Sequence, residues 1–146
     1  MNSLCNFFFF KISFAKVGMS AKSGPSPRLG QVLTLGDAVK SMGDAGKTIS
    51  YLKVDIEGSE LESIPEWISS GILDRVSQFG IELHTGRTAL GSDQMAKLLD
   101  LLDVWRNLHE LGFRMISNTN NDCVGKSDDL QNQYFNLFEV VFYKAA

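Results

Sequence analysis

Only two of the 146 residues are cysteine, Cys5 and Cys123. Two thiols cannot build a disulfide framework, and their spacing fits no zinc-ligand pattern, so they leave the redox compartment open. A basic excess is missing too. Fourteen Lys and Arg stand against seventeen Asp and Glu, a net charge of −3, whereas a polyanion-binding domain carries a basic excess or stripe. No nucleic-acid partner is therefore expected. No apolar run reaches the roughly 18 residues of a membrane-spanning helix, so no such segment is expected either. The chain has no internal repeat and nowhere contains G-x-G. What remains is ordinary globular composition, 44% hydrophobic and 21% charged, in a length suited to one domain.

The N-terminal apolar stretch, residues 4–10, is interrupted only by Asn6 and followed by Lys11. As a targeting segment it is poor, because no Lys or Arg precedes the apolar core. As a strand it places Phe8, Phe10, Ile12 and Phe14 on one face at a period of two. That strand core is a better account of Phe7 to Phe10 than a base-stacking platform, since basic neighbours are few. Residues 18–30, rich in Gly, Ser and Pro, read as a loop.

From there elements alternate. A short helix is expected over 33–42, stopping near Gly43 and Gly46, and a strand over 49–56. Ser59 with Glu62 has capping-box spacing, and Ser63 with Glu66 offers a second box around Pro65, predicting a kink or restart. Residues 76–84 form a second strand. Ser92 can cap a long helix over 93–111, with Met95, Leu98, Leu99, Leu102 and Trp105 on one stripe. Gly112 suits a left-handed C-cap with Phe113 as its apolar contact. Two closing strands, 113–119 and 134–144, flank a polar connection at 120–133 and lack a helical crossover, so they should pair antiparallel. The alternation predicts an α/β fold with a mostly parallel sheet and helices on its faces.

The chemistry gathers at two strand ends. Asp55 and Glu57 lie two apart where the first strand finishes; Glu82 and His84 do so on the second. If the strands are parallel neighbours, both pairs meet at the carboxyl edge of the sheet, where open α/β sheets bind ligands. Three carboxylates beside an imidazole repel when ionised and invite a metal, a cationic ligand or raised pKa values. The plainer reading is that Glu57 and Glu60 complement a helix N-terminus. His109, near the end of the long helix, suits a local structural role. Cys123 sits in the polar connection with nothing nearby to lower its pKa, and residues 86–91 form a loop over the presumed site.

The segment Leu52-Lys53-Val54-Asp55-Ile56-Glu57-Gly58-Ser59-Glu60 resembles the signature of FkbM-type S-adenosylmethionine-dependent methyltransferases, with animal methyltransferase-like proteins the nearest group. Gly80 to His84 is similar to the strand those proteins place next, and Phe138 to Phe142 to their final strand. Val17 to Ser20 resembles the turn after their third strand, and Thr34 to Asp37 their "TLDD"-like helix start. The likeness runs from about residue 8 to 144. It implies a Rossmann-like class I methyltransferase sheet with an antiparallel C-terminal strand pair, and S-adenosylmethionine as cofactor. The methyl acceptor would be a small or glycan-like molecule methylated on oxygen, with nitrogen the lesser alternative. By this resemblance Asp55, His84 and Glu82 are the candidate catalytic residues. Asp55, Glu57, Gly18 and Met19 are the candidate cofactor contacts. No metal ligand is assigned.

Such enzymes open with a strand and an E-x-G-x-G turn that approaches the cofactor closely. With no G-x-G present, the expectation is a domain that starts at the third strand and lacks the first two, is doubtful as a catalyst, and carries an open apolar edge prone to self-association. A noncatalytic α/β module that binds a partner through that edge is the alternative function.

Overall fold

A computed structural model describes residues 12–84, 92–120 and 137–145. Within them the chain forms two sheets and three α-helices. The first sheet contains β1 (Gly18–Met19), β2 (Gly24–Ser26) and β3 (Gly30–Leu33), ordered β1-β3-β2. Strand β1 runs parallel to β3 and β2 antiparallel to it. This segment was expected to be a loop. Its Gly, Pro and Ser composition does mark turns, but the turns are tight enough to pair the short stretches between them. Gly30, at φ 76°, closes the hairpin.

Helix α1 (Leu35–Ser41) starts at Thr34, whose hydroxyl accepts from the Asp37 backbone N–H at 3.2 Å. Strand β4 (Leu52–Val54) follows, shorter than the expected 49–56, with Ile49 reaching Val76 through an isolated parallel bridge. Helix α2 (Glu60–Ser69) then runs without interruption through Pro65. Neither expected capping box forms. Ser59 makes no side-chain cap bond, and the Ser63 hydroxyl is buried without a partner. After a 3-10 turn at Ile72–Arg75 come β5 (Gln78–His84), α3 (Ser92–Glu110), β6 (Phe113–Asn120) and β7 (Leu137–Lys144).

The second sheet is ordered β4-β5-β7-β6. Only β4 and β5 are parallel, with Lys53 opposite Gly80; β7 is antiparallel to both β5 and β6. The closing pair is therefore antiparallel as expected, but the expected parallel majority is not found. Of the five strand pairings in the two sheets, three are antiparallel. Strand β3 follows β2 through a turn too short for a crossover, and β7 lies between β5 and β6 and runs opposite to both.

One face of this sheet is buried. Phe79, Ile81, Leu83, Val140 and Phe142 point into the core, where Trp67 of α2 meets Phe79 edge-on at 6.2 Å and Trp105 of α3 lies 5.0 Å from Phe142. The alternating positions Lys53, Glu82, Glu139 and Tyr143 are half-buried or exposed. Helices are thus packed on one face among the described residues, and alternation of this kind is the mark of a sheet buried on one side.

The stripe expected on α3 is displaced. Leu99 and Leu102 are exposed, while Val104 and Leu108 are buried, with Leu101 and Trp105 packed beside them. A leucine-rich helix offers two overlapping stripes, and the 101, 104, 105, 108 set faces the sheet. Met95, Leu98 and the Ser92 cap lie outside the described side chains. Gly112 has φ 90° and Phe113 is buried, as a left-handed helix end requires. At the other end, Ile12 and Phe14 are exposed and lie in no strand. Residues 1–11, the loop at 86–91, Cys123 and most of the polar connection lie outside the described residues.

Candidate functional site

The carboxyl end of β4 is followed by a turn that the sequence builds from Asp55-Ile56-Glu57-Gly58. Glu57 has φ 55° and Gly58 φ 102°. Left-handed backbone is rare outside glycine, and at a non-glycine residue it costs on the order of 1 kcal/mol. These two residues turn the chain sharply from strand into α2. They also aim two backbone N–H groups at one side chain. The Glu60 carboxylate receives Ile56 N–H at 3.1 Å and Gly58 N–H at 3.0 and 3.2 Å.

Glu60 itself is 0% exposed. A buried carboxylate is tolerated only where donors replace water, and here a third donor completes the set: His84 Nδ1 lies 2.8 Å from Glu60 Oε1. An oxygen already receiving backbone N–H groups presents lone pairs, so the hydrogen-bond network assigns the ring hydrogen to Nδ1. In the neutral ring Nε2 is then the nitrogen that carries the lone pair. It faces Asp55 Oδ1 at 3.8 Å and Glu57 Oε2 at 3.7 Å. The imidazole is largely buried, with 17% of its side chain exposed, whereas Asp55 and Glu57 are 46% and 78% exposed. Rigid groups lie below and adjustable ones above.

Asp55 and His84 are thus brought together as the parallel pairing of β4 and β5 requires, and the left-handed turn at 57–58 places Glu57 beside them. Glu60 is the residue the sequence reading missed as part of the site, having been taken only for a helix N-terminal acid. The available signal was its place on the 60, 63, 64, 67 stripe of α2, all four of which are buried. Glu82 is placed differently. It stands opposite Glu139 in the β5–β7 register and helps hold the Lys53 ammonium charged. Lys53 bonds Glu139 at 2.6 Å. Burial opposes its charge, but Glu139 and then Glu82 outweigh that and raise its pKa above the ordinary 10.5.

Gly18 and Met19 belong to the three-stranded sheet. A Cβ on Gly18 would lie 2.9 Å from Val32 Cγ1, so the missing side chain makes room for the neighbouring strand. Met19 packs against the main core.

Chemically, the arrangement is an imidazole oriented by a buried carboxylate, with its free nitrogen at the end of a parallel strand pair and two exposed carboxylates beside it. It can accept a proton, hold a hydroxyl or amino donor, or bind a cation. No helix among the described residues is long and apolar enough to cross a membrane. No known family profile, curated protein or solved structure matches the chain.

Proposed function

We propose that this chain carries the acceptor side of a methyltransferase site, in which His84 Nε2 takes the proton from a hydroxyl as that oxygen is methylated. The observation that carries the reading is the Glu60–His84 bond of 2.8 Å, which leaves Nε2 with its lone pair at the carboxyl end of β4 and β5. Supporting it are the likeness of Leu52 to Glu60 to the FkbM-type signature and the antiparallel β6–β7 pair expected of a Rossmann-like class I methyltransferase sheet.

S-adenosylmethionine supplies, when bound, a methyl group on a sulfonium sulfur. Asp55 and Glu57 fit the hydroxyl and amino donors of such a cofactor, and Asp55 would orient it or the acceptor. Proximity and alignment provide most of the rate in such a transfer. Glu60 is a positioning residue: it fixes the imidazole tautomer and touches no reactant. Gly18 is occupied by packing, and no G-x-G turn is present to cradle the methionine part. Weak binding of the cofactor by this chain follows, and calorimetric titration measures it. The functional test is methyl transfer to hydroxyl acceptors by wild type and His84→Ala. Loss of a general base lowers turnover by about 10² to 10⁴, with the thermal midpoint followed alongside. Full turnover in a folded His84→Ala protein would remove the base assignment.

A second reading has its own observation. Strand β4 ends the sheet order, and no described strand pairs with its outer side. A noncatalytic module would recruit a partner strand there. It predicts that a proline at Lys53 abolishes association while His84→Ala leaves it intact.

A further inference from the structure

We infer that His84 Nε2, Asp55 and Glu57 form a binding site for a borderline divalent cation of the zinc type. The inference goes beyond the methyl-transfer reading, and only its consequence for turnover rests on that reading.

The imidazole Nε2 faces one oxygen of each of two exposed carboxylates. The separations from Nε2, 3.7 Å to Glu57 and 3.8 Å to Asp55, exceed hydrogen-bond length. They are close to what a shared ion needs, since ligands about 2.0–2.1 Å from zinc lie about 3.3 Å apart in a tetrahedron. Both carboxylates are exposed, so their side chains can turn toward a shared ion. Ligand atoms of His84, Asp55 and Glu60 lie within 4.8 Å of one another; Glu57 stands outside this group and joins by turning its exposed side chain.

Glu60 is better placed behind the imidazole than on the ion, because its oxygens already receive Ile56, Gly58 and His84. A metal-bound imidazole characteristically donates its other N–H to a carboxylate, which fixes the tautomer and strengthens the ligand. This oriented ring separates the site from a mere group of acids. Two carboxylates balance the charge of a dication, and one nitrogen with two oxygens favours zinc-like ions over magnesium or calcium, which prefer oxygen alone. An ion on Nε2 occupies the lone pair that would accept a proton. Cation binding and base catalysis therefore exclude each other.

The experiment is calorimetric titration of the full chain with Zn²⁺ and, separately, Mg²⁺. Proton–nitrogen NMR of the His84 ring and the thermal midpoint are followed on the same samples. Expected are one Zn²⁺ per chain, a shift of the Nε2 resonance with Nδ1–H retained, and no saturable Mg²⁺ binding. Asp55→Asn and Glu57→Gln, both at exposed positions, should each weaken Zn²⁺ without lowering the midpoint. Glu60→Gln should weaken it by about 10- to 100-fold, as loss of an orienting partner does, and should disturb the Nδ1–H signal. Zinc held instead by Cys5, Cys123 or His109 would survive His84→Ala unchanged, and that result overturns the site. So does full affinity in the Asp55→Asn and Glu57→Gln double variant. Zinc binding without any methyl transfer would leave this site standing and refute the functional reading; methyl transfer insensitive to zinc, with no binding, would do the reverse.

Discussion

Replacing Glu60 separates two accounts of that side chain by size of effect. As an acid in the first turn of α2, acting only on the helix dipole, it would contribute about 0.3–1 kcal/mol. As the buried acceptor of Ile56 N–H, Gly58 N–H and His84 Nδ1–H, it does more. Its loss strands three donors, and a buried donor left unsatisfied costs about 1–3 kcal/mol. Gly58 is exposed and His84 partly so, and water can reach those two. The expected loss for Glu60→Ala is therefore near the lower bound, about 3 kcal/mol. For a domain of this size that lowers the thermal midpoint by roughly 6–12 °C, against roughly 1–4 °C for the dipole account. Glu60→Gln retains one acceptor oxygen and should fall between Ala and wild type. Circular dichroism melts at low and high salt provide the measurement. A dipole contribution is screened by salt, while a buried hydrogen-bonded carboxylate is not. A drop below about 4 °C that vanishes in high salt would refute the buried-acceptor argument.

Two further outcomes concern titration. Burial first, and then the Asp37 charge, raise the Glu66 pKa above its ordinary 4.5, with Ser70 opposing them. A raised carboxyl destabilises the fold above its folded-state pKa and not below 4.5. Glu66→Gln should therefore raise the midpoint at pH 7, and the gain should disappear below pH 4.5; equal gains at both pH values would contradict this. The Lys53–Glu139 pair is exposed on both sides, so Lys53→Met should cost no more than about 1 kcal/mol at neutral pH. Because the Lys53 pKa is raised in the folded chain, its contribution is complete below pH 10.5 and lost as the pH rises through the folded value. Chemical denaturation at pH 8 and pH 11 compares the two proteins.

Much of the second sheet is legible in the sequence because its signals are local. Thr34 caps α1 through a side chain three residues from the N–H it serves, and the β-branched and aromatic residues before Asp55 and His84 mark strands by composition. The approach of Asp55 to His84 follows from the parallel pairing of β4 with β5, whereas Glu57 is placed by the left-handed turn at 57–58. Other features depend on distant partners. Pairing makes β1, β2 and β3 into strands, and at two to four residues each none has a period to read. The choice between two leucine stripes on α3 is made by Phe142 and the sheet, far along the chain. Glu60 is the clearest case: its donor His84 lies 24 residues away, so its sequence neighbours can place it on the buried stripe of α2 but cannot show the ring it serves.

The sheet order also constrains how the chain is made. Strands β5 and β6 are joined only through β7, the last of the four to emerge from a ribosome. When β6 is complete its hydrogen-bonding edge has no partner, and β5 holds only the three-residue β4. The middle of the sheet is thus its final part to be synthesised. Translation therefore leaves β6 waiting with Met115 and Ile116 uncovered, exposed apolar groups even in the finished fold. Until β7 is in place, β6 therefore combines an unpaired edge with exposed apolar groups, which makes a partly folded chain prone to associate.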